Sequence, residues 1–168
     1  MHHGETDLRT QIVTLLPRLR RFCAALTRNG DAGDDLCQAT IERALMRADQ
    51  FEPGTRLDSW MFRIARNLLI DGARRTRTRG TEIDLDDSFD IVGDDGVAIV
   101  EGRSDLARAE QAMARLSEDQ RALMALVVID GQSYKDAAEI MEIPIGTVMS
   151  RLARARRAID QAVRGTGQ

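Results

Sequence analysis

Internal histidine is absent from this chain, and lysine, proline, cysteine and aromatic residues are scarce. The two histidines, His2 and His3, stand together at the terminus, where disorder is the default reading. With no internal imidazole and no His/Cys/carboxylate cluster at metal-ligand spacing, neither a metal nor a cofactor is expected, and enzymatic chemistry is the reading least favoured. Three prolines and 4% aromatics, against abundant Ala, Leu, Arg and Glu, favour helices over sheets. Cys23 and Cys37 each fall inside an apolar helical pattern, which suits buried thiols in a reducing compartment better than a disulfide or redox switch. No stretch approaches the ~18 apolar residues of a membrane span and no signal peptide is visible, so a cytoplasmic chain without membrane insertion is expected.

What the chain has is arginine. Of its 24 basic residues only Lys135 is lysine, and arginine is the better bidentate ligand for phosphate and guanine. The stretch from Ser133 to Ile159 organises the reading. Ser133 can cap a helix over about Tyr134 to Glu142, answered three residues on by Asp136. Ile143-Pro144-Ile145-Gly146 then breaks it, because proline lacks a donor and pushes its predecessor out of the helical region. Thr147 can cap a second helix, with Val148, Leu152, Ala155 and Ile159 on one face and Ser150, Arg151, Arg154 and Arg157 on the other. From Gly146 to Arg164 there are five arginines and one acid, Asp160, in a chain of net charge −3. A basic cluster in an acidic protein implies a dedicated phosphate-facing surface, and the pattern is that of a helix-turn-helix whose second helix enters the major groove. An ordinary helical hairpin with a solvated basic face is the plainer alternative.

Further upstream, Leu8, Ile12, Leu15, Leu16, Leu19, Phe22, Cys23 and Leu26 follow a helical period over Asp7 to Arg28, with Pro17 expected to kink or restart the helix. Asn29-Gly30 ends it. A second helix is expected from about Ala32 to Gln50, with Leu36, Ile41, Ala44, Leu45 and Ala48 inward and Asp35, Gln38, Glu42, Arg43 and Asp49 outward. A third, Leu57 to Arg79, has a core stripe of Leu57, Trp60, Met61, Ile64, Leu68 and Leu69 and a second face of Arg63, Arg66, Asn67, Arg74 and Arg77. Six arginines lie between Arg63 and Arg79 with Asp71 as the sole acid, denser than a merely solvated face requires. Trp60 suits either a core position or a platform for an unstacked base, and Gly72 can bend the helix. Nine acids and four glycines from Gly80 to Asp105 then mark a linker between two helical domains. A helix from about Leu106 to Leu116 and another opened by a Ser117/Gln120 capping box and closed by Gly131 complete a four-helix C-terminal domain. The fold expected is therefore all-α: two small helical domains, 1–79 and 106–168, joined by an acidic flexible linker, 80–105.

This order of motifs resembles the extracytoplasmic-function sigma factors of the bacterial sigma-70 family. DDLCQATIERALMRADQF, Asp34 to Phe51, is similar to that family's DLVQETFLRAW stretch; LDSWMFRIARNLLIDGARR, Leu57 to Arg75, is similar to its WLFRIARNLALDHLRR stretch; Leu116 to Arg156 matches the family pattern nearly end to end. The resemblance implies a promoter-specificity factor that does no chemistry of its own. Its partners would be core RNA polymerase, promoter DNA and an anti-sigma factor, and it would be a monomer when free. By position it implies polymerase contact at Asp35, Leu36, Gln38, Thr40 and Glu42. It implies recognition of the unwound element near −10 by Trp60, Arg63, Asn67 and Arg74, and of the element near −35 by Thr147, Ser150, Arg151, Arg154 and Arg157. Glu142 stands where relatives carry glycine and Met149 where they are often basic, so the turn geometry and the −35 sequence need not follow the family. Two other functions compete: an operator-binding helix-turn-helix regulator, and a sigma-like decoy that occupies an anti-sigma factor. The basic stripe of the third helix speaks against both.

Overall fold

The computed structural model describes residues 3–78 and 104–165. The described residues are helical with no strand: α1 (His3–Thr27), α2 (Gly30–Met46), a 3₁₀ turn (Ala48–Gln50), α3 (Leu57–Thr78), α4 (Ser104–Arg115), α5 (Glu118–Met124), α6 (Tyr134–Met141) and α7 (Ile145–Arg164). The acidic linker lies outside the described residues, apart from Ser104 and Asp105, which already belong to α4. The side chain of Arg77, and Arg79, lie outside them too.

In the first bundle the apolar period of α1 does what its spacing requires: Leu8, Ile12, Leu15, Leu19, Phe22, Cys23 and Leu26 are all buried. Pro17 sits on the exposed side of one uninterrupted helix. Arg28, at φ 59°, ends α1, and Asn29 caps α2 rather than only closing the helix before it, its side chain accepting from the Asp31 and Ala32 amides. Gly33 lets α1 and α2 cross closely: a Cβ there would stand 2.8 Å from Ala24 Cα. The inward face of α2 departs from expectation at one position. Leu45 is exposed, whereas Cys37 and Thr40 are buried. Burial pushes the Cys23 thiol up to about 12, so it stays protonated beside Cys37. Phe62 of α3, fully buried, meets Phe22 with ring centroids 4.6 Å apart. Gly72 does not interrupt α3.

In the second bundle α7 packs against α4, α5 and α6 through Val148, Leu152 and Ala155. Both halves of the Ser117/Gln120 capping box are present, and Gly131, at φ 77°, takes the left-handed turn that closes the segment. Between them α5 runs on as a π-helical turn over Ala125–Ile129. The turn between α6 and α7 contains a residue that L-amino acids rarely supply, since Glu142 adopts the left-handed conformation (φ 55°, ψ 42°). Glu142→Gly is therefore expected to raise stability by about 0.5–1 kcal/mol, the relieved strain exceeding the extra unfolded-state freedom of glycine; the urea midpoint measures it.

Candidate nucleic-acid interface

The helix-turn-helix is built by local bonds. The Ser133 hydroxyl accepts from the Asp136 amide at 3.0 Å, and the Ile143 amide donates to Ala138 O at 3.1 Å to close α6. Helix α7 starts two residues before Thr147, because Pro144 itself occupies the cap position and its carbonyl accepts from the Thr147 and Val148 amides. Proline suits a helix start, where no donor is needed. Thr147 is thus a first-turn residue and not the cap. Ser150, Arg154 and Arg157 are exposed, as are Gly146, Met149 and Ala153. Ile159, expected to face inward, is partly buried.

Arg151 departs from the free arginine its spacing suggests: its Nη1 donates to Asp119 Oδ2 of α5 at 2.5 Å. The other oxygen of Asp119 lies 3.7 Å from Arg66 Nη2 of α3. Arg63 of the same helix donates from Nη2 to the Glu139 carbonyl of α6 at 3.3 Å. The arginine face of α3 is therefore turned against the second bundle, with only Asn67 and Arg74 of the expected −10 residues exposed. Trp60 is half-buried with its ring 5.2 Å from that of Phe51, which favours the packing role for it over an open platform.

One buried apolar cluster runs through both bundles, and beside it their junction carries a polar network that the sequence did not announce. Arg18 of α1 grips Asp130 with two bonds, Nε to Oδ1 at 2.9 Å and Nη2 to Oδ2 at 2.8 Å, and reaches Asp58 at 3.0 Å. Gln132 is buried at the centre, accepting from Arg56 at 2.7 Å and donating to Asp58 and Asp130. Arg56 also pairs with Asp136. Burial works against the Asp58 charge, but bonds from Arg56, Gln132, Arg18 and the Ser59 amide together hold its carboxyl well below the usual carboxylate range. A carboxyl with a depressed native pKa stabilises above its ordinary value of ~3.9 and loses that contribution as the pH falls below it. The junction is accordingly expected to weaken progressively as the pH falls below about 4, the loss being complete only in strong acid, seen as a thermal midpoint that declines with pH over that range and declines less in Asp58→Asn.

On α2 the expected polymerase-facing residues divide. Asp35, Gln38 and Glu42 are exposed, Gln38 donating to Glu42 at 3.2 Å. Leu36 and Thr40 point inward, the Thr40 hydroxyl donating to Leu36 O at 2.7 Å, so their part is packing and not contact. Among the described residues no group of three or more His, Cys, Asp or Glu is placed to hold a metal, and no helix is long and apolar enough to cross a membrane.

Residues 106–159 match the family described as Sigma-70, region 4, and residues 12–66 match the Sigma2 domain of PhyR. The chain is 36% identical over 154 residues to the ECF RNA polymerase sigma factor EcfG of Rhodopseudomonas palustris, covering 92% of this chain and 83% of that one. The chain belongs to the ECF RNA polymerase sigma factors. SigC of Mycobacterium tuberculosis, of the same family, is 35% identical over 139 residues, covering 83% of this sigma factor and 74% of SigC. Among solved structures, the sigma factor RpoE in complex with the anti-sigma factor NepR from Bartonella quintana matches with a TM-score of 0.71 at 34% identity, over 96% of this chain and 99% of RpoE. The all-α fold with a helix-turn-helix in a four-helix C-terminal domain stands as expected, and α6 and α7 up to Ile159 lie inside the region 4 match. The other match stops at residue 66, short of Asn67 and Arg74 on α3 of the sigma factor.

Proposed function

We propose that this sigma factor directs core polymerase to a particular set of promoters, α7 reading the −35 element and α3 the parted strands near −10. The observation that carries the reading is the outward stripe of α7, polar and cationic at Ser150, Arg154 and Arg157, on a helix held in helix-turn-helix geometry. Side chains so placed can reach base edges in the major groove, while arginines elsewhere position the phosphates. Asp35, Gln38 and Glu42 form a polar face suited to the polymerase. RpoE is seen with an anti-sigma factor, and a partner of that kind is proposed for this chain, which is read as a cytoplasmic monomer when free. Run-off transcription with purified core polymerase on a promoter library tests the proposal. Selective new transcripts support it, and their shared upstream sequences give both elements; core binding or transcripts failing together would sink it.

The match of residues 12–66 to the Sigma2 domain of PhyR favours one second reading, a sigma-like decoy. A decoy would bind an anti-sigma factor yet leave core polymerase unaltered in the same assay.

Ile145 and Met149, one turn apart on α7, are 46% and 50% exposed. Apolar side chains in the major groove contact the thymine methyl. Replacing thymine by deoxyuridine at one or two −35 positions is therefore expected to weaken holoenzyme binding by about fourfold, the worth of one buried methyl, with Met149→Ala insensitive to the change; competition binding on paired duplexes measures it.

A further inference from the structure

Among the described residues three buried side-chain nitrogens have no hydrogen-bond partner: Arg63 Nε, Arg66 Nε and Arg121 Nε. Arg63 and Arg66 still reach an oxygen through another nitrogen, the Glu139 carbonyl and the Asp119 carboxylate respectively. Arg121 of α5 is the harder case. It is 3% exposed, and its bond from Nη1 goes to an uncharged oxygen, the Leu116 carbonyl. Desolvation, with the repulsion of Arg28, outweighs the attraction of Glu118 and brings its pKa down to about 10, so the group is still charged at neutral pH. A guanidinium carries five donors in a planar fork. A buried charge without a bonded counter-charge is costly, and native structures rarely leave such donors unfilled.

The surroundings of Arg121 indicate what fills them. Helix α5 packs on α1, and the end of α1 brings up a second guanidinium, that of Arg28, on an exposed left-handed turn at φ 59°. One arginine is sunk beneath the surface and the other stands at the rim. Glu118, the acid that acts on Arg121, is exposed. Two positive charges call for a doubly charged anion with several acceptor oxygens. Phosphate carries nearly two negative charges near neutral pH and matches the guanidinium fork, whereas chloride or a carboxylate brings only one. We propose that Arg121 and Arg28 form a phosphate-binding site at the contact of α1 with α5, open to the free ion or to the terminal phosphate of a nucleotide. The site uses no residue of the outward stripe of α7 or of the polar face of α2, and the inference is independent of the promoter reading. An anion held there ties α1 to α5 through a charge that neither helix supplies.

Thermal melting of the full chain at constant ionic strength tests the site, with sodium chloride, sodium phosphate and magnesium-free adenosine diphosphate as the three additions. Phosphate salts strengthen burial in any protein, but that effect grows steadily with concentration, whereas a bound ion raises the midpoint steeply at first and then with the logarithm of its concentration. The unaltered chain is expected to melt about 5 °C higher at ten times the dissociation constant of the anion, with no such rise in chloride. Arg121→Met keeps the side-chain length without the charge, and Arg28→Asn suits the left-handed backbone; each is expected to lose most of the rise. Arg154→Ala, in the stripe of α7, is expected to keep it. Should Arg121→Met fail to fold, the exposed Arg28→Asn decides. A rise that Arg28→Asn retains in full, or that Arg154→Ala loses, overturns the proposal, as does equal behaviour in phosphate and chloride. A rise reached at lower concentration with the diphosphate identifies a nucleotide as the source, and one reached at equal or higher concentration identifies the free ion.

Discussion

Replacing Arg151 and Arg154 with alanine is expected to reduce −35-dependent initiation by roughly a hundredfold while leaving association with core polymerase unchanged. A bidentate arginine contact is worth ~1–3 kcal/mol of discrimination, so losing two costs about 3 kcal/mol even when neither is ideal. One effect runs the other way. Arg151 must give up its pair with Asp119 to reach DNA, but an ion pair of this exposure contributes only ~0.2–1 kcal/mol, so the loss of contact wins. Transcription on templates with intact and scrambled −35 elements reads the effect, and co-purification with core polymerase is the control, because Asp35, Gln38 and Glu42 lie on α2 of the other bundle. If initiation and core association fell together, the assignment of separate surfaces would be wrong.

The largest effect on stability is expected at Phe62. The ring is fully buried, pairs with Phe22 at 4.6 Å and lies 5.9 Å beneath the Arg18 guanidinium. Phe62→Ala removes a large apolar surface and leaves a cavity, at a cost of about 3–5 kcal/mol. Small domains have ~5 kcal/mol or little more to lose, so the first bundle is expected to be largely unfolded in moderate denaturant where the second remains helical. Urea titration followed by the fluorescence of Trp60, the chain's single tryptophan, reports on the first bundle alone; a midpoint shifted by less than the equivalent of ~1 kcal/mol would show that the site collapses around the smaller side chain.

Much of this is legible in the sequence for a simple reason: each helix presents its inward residues three, four and seven positions apart. The inward set of α7 and that of α1 follow from periodicity alone. Leu45 follows the apolar period but lies one position past the stripe of Leu36, Thr40 and Ala44, on the side where Ile41 is already only partly buried. Thr147 offers the hydroxyl that usually signals a cap, whereas Pro144, which holds the position, supplies only a carbonyl and a fixed φ. Left-handed Glu142 has no signal in its own side chain; only the family resemblance, which puts glycine at that turn, points to it. The junction had no signal. Arg18 and Asp130 stand 112 residues apart, and nothing in the sequence pairs Arg66 with Asp119. Those are contacts between finished surfaces, and short-range patterning carries no record of them.

The charged character of the junction bears on how counterion release would be measured. Arg151 already has a carboxylate, Asp119, as its counter-charge, so in meeting a phosphate it exchanges one anion for another and releases fewer salt ions than a free arginine would. A plot of log affinity against log salt is then shallower than the number of arginines in contact warrants.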